Sequence, residues 1–374
     1  MIYLDNAATT YPKPKCVYRR LRWCLHHAAG NPGRSSHSAA LMAAEEIYAA
    51  REALAQLLCF PKPERIVFTQ NATYALNMAI RALRPAPRHV IYSDWEHNSV
   101  IRPIAALCKE GCAYNVFSTD GNILASMEAA LQPQTDLCIL SLCSNVTGEC
   151  FPLPVLAEFR RRHPTVRIIL DGSQWLGHLP FSLSEATCDI LCAPGHKALF
   201  GIQGTGFAAF VTEGEYSPFA YGGSGSDSVN RNMPRLLPER MEAGTLATPA
   251  ISTLGEGVRF LLREGMDAVS EKILYLTKGL YERLDSLSNA RILSEKGVGI
   301  VSFMMKNIPA ATVTAFLDSR GICVRGGLHC APLIHRVKHT PPDGTVRASL
   351  SYLNKMKDVD RLYRAMKEFE ALYY

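Results

Sequence analysis

Short apolar runs rich in branched residues alternate with segments of helical period over much of residues 60 to 212. The runs Arg65–Phe68, His89–Tyr92, Leu137–Leu142, Arg167–Leu170, Asp189–Cys192 and Gly206–Val211 lack the alternation of a half-solvated sheet. Strands apolar on both faces belong to a mostly parallel sheet with helices packed above and below it. Between them Leu76, Ala79, Ile80 and Leu83 recur at i, i+3, i+4 and i+7, so one helix lays an apolar face on that sheet. The pattern predicts an α/β fold of the doubly wound kind.

After Tyr216 the texture changes to Gly, Ser, Asn and Pro as far as Pro249, and so long a stretch without periodicity predicts a functional loop or an interface segment. Gly257 to Leu287 is helical in pattern, with Leu276, Leu280, Leu284 and Leu287 on one stripe. Strand-like runs follow at Gly299–Met305 and Ile322–Arg325, and a last amphipathic helix carries Val359, Leu362, Met366 and Phe369. We therefore expect a large domain over residues 16–254 and a smaller α+β domain made of residues 1–15 and 255–374.

With 48% hydrophobic and 20% charged residues over 374 positions, the chain can bury a sizeable core and disorder is not expected. The net charge of +6 is scattered. Its one tight basic run, Arg160-Arg161-Arg162-His163, ends a helical segment before Pro164, where cations complement the helix dipole, so no nucleic-acid partner is expected. Asp5 interrupts the first apolar residues and no run of about 18 apolar residues follows, which predicts a cytoplasmic protein with no membrane partner. The twelve cysteines include no C-x-x-C pair, which argues against zinc ribbons and thioredoxin-like redox sites; most are expected to be small buried hydrophobes. Cys-Ala-Pro nevertheless occurs twice, at Cys192 and at Cys330, and the second follows a glycine pair in "ICVRGGLHCAPL". Residue type alone leaves Cys330 open as filler, metal ligand, disulfide partner or nucleophile.

In open α/β sheets ligands gather at the carboxyl ends of the strands. After "RIVF" comes "TQNAT", leading into a helix; free N–H groups and the helix dipole suit an anion there, with Thr73 adding a hydroxyl, although a plain N-cap accounts for the same residues. After "VIYSD", the segment "WEHNSVIRP" puts His97 near the same edge, where a structural histidine is the commoner role. After "RIIL", "DGSQ" ends a buried strand on Asp171, whose carboxylate needs a cationic or N–H partner, with Gln174 three residues on. After "DILCAP", "GHKALFGIQGTGF" sets Lys197 just past a buried strand, where an amine that loses its proton readily can form a Schiff base. An anion cradle, a carboxylate for a ring nitrogen and an amine for an aldehyde together suit pyridoxal 5′-phosphate. A nicotinamide site is the rival, through Gly201, Gly204 and Gly206, but "FAAFV" reads as strand where the dinucleotide fingerprint needs a helix.

The segments "YLDNAATT", "FTQNATYALN", "EHNSVIRP", "SNVTG", "DGSQ", "GHK", "GTGF", "EAGTLATP", "RGGLHCAPL" and "VRASLSYLN" come in the order seen in class V aminotransferase-like enzymes. The chain most resembles cysteine desulfurases and the similar selenocysteine lyases, from Tyr3 to its C-terminus. The resemblance implies the type I fold of pyridoxal-phosphate enzymes and a homodimer. It implies that Lys197 forms the Schiff base, that Asp171 pairs with the pyridinium nitrogen, that Gln174 bonds the phenolic oxygen and that His97 stacks on the ring. Thr73 and His196 would hold the phosphate beside Ala72, helped by Thr245 from the other subunit. Asn145, Ala7, Arg325 and Arg347 would hold the substrate, with Arg347 taking its α-carboxylate in a bidentate pair. Cys330 matches the family's nucleophile, which takes sulfur from L-cysteine as a persulfide, releases alanine and passes the sulfur to an acceptor protein.

Two positions depart from the family pattern. Pro194 stands where a serine commonly bonds the phosphate, and Ala72 where a hydroxyl residue is often found, so the phosphate is expected to rely more on backbone N–H groups. Cys330 follows Arg325 by only five residues, a compact loop that resembles the SufS branch. Arg325, His329 and His97 are the groups expected to favour its thiolate. Selenocysteine lyase activity, a class V transaminase or a C–S lyase on another amino acid are the alternatives on the same scaffold; a non-catalytic sulfur scaffold or a metal-binding protein are those of a different class.

Overall fold

The computed structural model describes residues 1–33, 35–183, 188–225, 229–294 and 297–374. Its strands in chain order are β1 (Ile2–Tyr3), β2 (Ile66–Thr69), β3 (His89–Ser93), β4 (Ala113–Phe117), β5 (Thr135–Ser141), β6 (Arg167–Asp171), β7 (Ile190–Pro194), β8 (Gly206–Phe210), β9 (Ala290–Ile292), β10 (Ile300–Met305), β11 (Ile322–Cys323), β12 (Arg325–Gly327) and β13 (Thr345–Ser349). The helices are α1 (Lys15–His27), α2 (Ser38–Leu57), α3 (Ala72–Ala82), α4 (Asn98–Cys108), α5 (Ile123–Ala129), α6 (Leu153–Arg162), α7 (Thr248–Glu264), α8 (Met266–Asp285), α9 (Ala310–Ser319), α10 (Pro332–Val337) and α11 (Met356–Tyr373).

Seven strands make the large sheet, in the order β2-β8-β7-β6-β5-β3-β4, and β8 alone runs against the rest. All six strands expected from the apolar runs lie in it. One face carries Ile91, Cys138, Leu140, Ile168, Leu170 and Leu191 into a core shared with α2, α6 and α7. The other carries Val90, Leu137, Ile139, Ile169, Ile190 and Cys192 against α3 and α4. Covering both faces is what makes these strands read as continuous apolar runs. Edge strand β4 escaped that reading because Ala113, Tyr114 and Val116 are exposed.

The smaller sheet has the antiparallel order β12-β13-β10-β9. It packs on α8, α9 and α11 through Leu276, Leu280, Phe303, Val346, Leu362 and Phe369. Strand β1 pairs in parallel with β11, so the first residues sit among the last hundred. The helical run expected from Gly257 to Leu287 is two helices, because Gly265 takes φ 82° between α7 and α8. The division drawn at residue 254 falls inside α7, whose Ile251, Leu254, Val258 and Leu261 join the core of the large sheet. The expected strand Ile322–Arg325 is likewise shared between β11 and β12, which belong to different sheets. Among the described residues no helix is long and apolar enough to cross a membrane.

Candidate active site

A cleft of about 220 Å³ opens where the carboxyl edge of the large sheet meets the smaller one. The ends of β5, β6 and β7 and the starts of α3 and α4 form its floor, supplying Asn145, Asp171, Lys197, Ala72, Thr73 and His97. Ala7, Arg325, His329 and Arg347 close it from the other side. Gln174 and His196 line it too, so of the expected site residues the cleft gathers all but Thr245 and Cys330. Thr245 lines a separate depression with Thr69, Gln70 and Tyr74.

Four features of the floor bear on whether it suits the expected cofactor. The Asn71 side chain caps α3 by accepting from Tyr74 N–H at 3.0 Å, which leaves the N–H groups of Ala72 and Thr73 without partners among the described residues. Strand β8 comes so close that a Cβ on Gly206 would lie 2.6 Å from the Asn71 carbonyl carbon, so glycine is needed for that approach. Asp171 is buried, one oxygen accepting from Ser173 N–H at 2.9 Å and the other unpaired among the described residues. That second oxygen, on the cleft lining, is placed to accept from a protonated ring nitrogen. Lys197 Nζ has no hydrogen-bond partner among the described residues, and burial pushes its amine down to about 8, with Asp171 opposing and Arg347 and Arg325 assisting. The groups present therefore fit pyridoxal 5′-phosphate, and the α3 terminus suits an anion.

His97 caps a helix and faces the cleft. Its Nδ1 caps α4 by accepting from Ser99 N–H at 3.0 Å, and its ring lines the cleft. Burial, then Lys197, pushes its imidazole down to about 4, so it is neutral at physiological pH. His196 is held through Nδ1 and Thr9 Oγ1 at 3.1 Å and is pushed down to about 4, first by burial. Thr73 Oγ1 and Ser99 Oγ lie 2.8 Å apart on the cleft wall, and Ser99, which sequence reasoning missed, adds a second hydroxyl beside Thr73. Gln174 donates to the Ala7 carbonyl at 3.0 Å, which fixes its amide and leaves one N–H over.

Arg347 is engaged already. It reaches Asp5 at 3.0 Å and the Asn145 carbonyl at 2.9 Å, while its buried Nε has no partner. Strand register sets Arg325 directly beside it, a second guanidinium on the same wall of the cleft. Asp5 was not singled out because nothing in the chain near residue 5 announces a partner 342 positions away.

Cys330 lies at the rim, exposed. Both His329 and Cys330 adopt left-handed backbone, at φ 49° and 59°, a costly conformation for residues with a Cβ. Two hydrogen bonds hold the strained pair: Asn145 Nδ2 donates to the His329 carbonyl at 2.7 Å and Asn98 N–H to the Cys330 carbonyl at 2.8 Å. Arg325 Nη2 sits 3.7 Å from Cys330 Sγ. His329 cannot favour the thiolate as expected. Burial, then Arg347, pushes its imidazole down to about 2, and its Nε2 is bonded to Thr345 Oγ1 at 3.1 Å. His97 is neutral as well, so Arg325 is the cation beside the sulfur.

A lysine past one strand end, a carboxylate ending the neighbouring strand and a helix N-terminus facing both define the type I site of pyridoxal-phosphate enzymes. Residues 2–362 match the model of the family "Aminotransferase class-V", and the chain belongs to that family. A probable cysteine desulfurase of Mycolicibacterium paratuberculosis is 30% identical over 98% of this chain, which spans 55% of that protein. Another, of Methanothermobacter thermautotrophicus, is 29% identical over 99% of this chain and 95% of its own length. Among solved structures, the apo cysteine desulfurase of Thermococcus onnurineus superposes with a TM-score of 0.91 at 26% identity, covering 99% of this chain and 94% of that one.

Proposed function

We propose that the protein is a cytoplasmic, homodimeric cysteine desulfurase that uses pyridoxal 5′-phosphate to take sulfur from L-cysteine onto Cys330. The observation that carries this reading is the thiol of Cys330 in a strained loop, 3.7 Å from Arg325 and next to a residue of the cleft that holds Lys197 and Asp171. A plain transaminase has no use for that cysteine.

When bound, the cofactor withdraws electrons from the substrate carbon attached to the amine. Ala72 and Thr73 N–H, the Thr73 and Ser99 hydroxyls and His196 would hold its phosphate. Asp171 keeps the ring nitrogen protonated through its unpaired oxygen. Arg347 Nε and the neighbouring Arg325 take the substrate carboxylate. Lys197, whose amine burial lowers to about 8, would hold the cofactor aldehyde and is the base placed to take the proton from the substrate Cα. Cys330 Sγ attacks the substrate sulfur; the S–S bond forms as the Cβ–S bond breaks with its electron pair left on carbon, and the carbon skeleton leaves as alanine after taking up two protons, one at Cβ and one back at Cα. In this reading Thr245 serves the cleft of a second subunit, and a separate protein accepts the sulfur.

The test is incubation of the loaded enzyme with L-cysteine, and in parallel with selenocysteine, followed by alanine assay and mass analysis of the alkylated protein. Alanine with one extra sulfur on the Cys330 peptide is expected. Pyruvate, ammonia and free sulfide with no alanine and no protein persulfide would make it a C–S lyase, and turnover of selenocysteine alone a selenocysteine lyase.

A further inference from the structure

The turn that carries Asn145 starts and ends on a cysteine. Cys143 and Cys150 face each other across an isolated antiparallel bridge. The flanking hydrogen bonds run from Ser144 N–H to Glu149 C=O at 2.9 Å and from Phe151 N–H to Leu142 C=O at 2.8 Å, so the two cysteines occupy a non-hydrogen-bonded position of the ladder. At such positions the Cα atoms approach to about 4.5 Å and the side chains share a face. That separation lies within the span a disulfide bridges without backbone movement. Both sulfurs already turn to one carbonyl: Gly148 O lies 3.2 Å from Cys143 Sγ and 3.8 Å from Cys150 Sγ. The neighbouring Cys150 thiol, then burial, raises the Cys143 thiol well above its ordinary value.

The rest of the turn is pinned from its far side. Ser302 Oγ donates to the Val146 carbonyl at 2.5 Å, Val298 N–H to Gly148 C=O at 2.9 Å and Arg347 to the Asn145 carbonyl at 2.9 Å. Joining the sulfurs therefore asks for side-chain rotation and leaves these bonds in place. The two thiols also differ in access: Cys143 is buried and lines the cleft, whereas Cys150 is half-buried.

We propose that Cys143 and Cys150 are a redox-modifiable pair, closed to a disulfide by low-molecular-weight disulfides such as glutathione disulfide. Cys150, as thiolate, attacks one sulfur of the reagent, its S–S bond breaks and one glutathione leaves. Cys143 then loses its proton to water and attacks the Cys150 sulfur, expelling the second glutathione. Two protein thiols are oxidised and one glutathione disulfide is reduced to two glutathiones. The mixed disulfide on Cys150 removes the thiol that opposes Cys143 ionisation, so the second step is easier than Cys143 at rest suggests. The closed pair draws tight the base of the turn whose Asn145 holds the Cys330 loop. The proposal needs neither cofactor nor turnover, and stands apart from the desulfurase reading.

The experiment treats the full-length loaded protein with glutathione disulfide, then denatures it in N-ethylmaleimide and cleaves after glutamate. Cleavage at Glu149 separates residues 129–149, which hold Cys138 and Cys143, from residues 150–158, which hold Cys150 alone. The expected result is one linked species: the first fragment loses one of two maleimide adducts, the second loses its only one, and reductant restores both. Glutathione left on Cys150 without a link, linkage through Cys138, or full maleimide labelling of both fragments while the exposed Cys59 carries glutathione would each overturn the proposal. Cys143→Ser should trap glutathione on Cys150; should that variant not fold, the mapping of the unaltered protein decides alone.

Discussion

Cys192 and Cys330 open the same tripeptide, Cys-Ala-Pro, in two regions that treat it oppositely. The first closes β7, where Cys192 pairs with Asp171 on one side and Ala208 on the other. Its side chain is fully buried on the α3 face of the sheet, and burial raises the thiol well above its ordinary value. Pro194 ends that strand. In the second copy Pro332 begins α10, a position where a proline loses no helical bond, and Cys330 stands exposed before it in left-handed backbone. A guanidinium lies 3.7 Å from its sulfur. The lesson is that chemistry here belongs to the setting: one sulfur is desolvated inside the sheet, which disfavours its thiolate, while the other is open to solvent with a guanidinium beside it.

The comparison breaks first on activity. Cys330→Ala should lower persulfide formation from L-cysteine by on the order of 10³-fold or more, the scale of removing a nucleophile outright. The cofactor should still load, because Cys330 touches none of the groups that would hold it. Retention of most of the parent's persulfide on any other cysteine would sink the distinction between the two copies.

The first copy leads straight to Lys197, which gives the comparison a pH dependence. Burial lowers that amine to about 8, and only its neutral form attacks an aldehyde. Uptake of pyridoxal 5′-phosphate by cofactor-free protein should therefore slow about tenfold for each pH unit below that value and level off above it. Stopped-flow absorbance, with borohydride trapping to confirm attachment at Lys197, reads this directly. A rate still climbing steeply above pH 9.5 would mean an ordinary lysine.

Much of this geometry was legible before the structure. Asp171 and Lys197 announced themselves because a charged group at the end of a buried strand is costly unless used, and the helix after Asn71 because small polar residues precede an apolar stripe. What sequence could not supply was pairing across the chain. Asp5 with Arg347, Asn145 with the His329 carbonyl and Cys143 with Cys150 depend on how strands and turns come together, and no spacing rule reports them. His329 was misjudged for the same reason: its neutrality follows from burial beside Arg347, 18 residues on. The exposed β4 went unseen because an edge strand carries no apolar run.

Arg325 is the residue that sharpens the contrast at its second copy. A unit charge about 4 Å away is worth about 1 kcal/mol in bulk water, or roughly a fivefold change in a population. Arg325→Gln should slow iodoacetamide alkylation of Cys330 at neutral pH by about that factor, and less in high salt, since the pair is exposed. Equal rates with and without the arginine would leave Cys330 distinguished by access alone.

The smallest effect is expected where the thiol is hidden. Cys192→Ala removes one sulfur from a packed face that includes Val67, Ala79, Ile190 and Ala208. The void is smaller than that of a lost isobutyl group, so the cost should be about 1 kcal/mol, seen as a lower denaturant midpoint with an unchanged slope. Turnover should match the parent, because Cys192 packs into the α3 layer and does not line the cleft. Native Cys192 should likewise resist iodoacetamide under conditions that consume Cys330 completely. A variant with parental stability but slowed turnover would mean that this sulfur acts on the site through β7, and the two Cys-Ala-Pro copies would then differ in degree and not in kind.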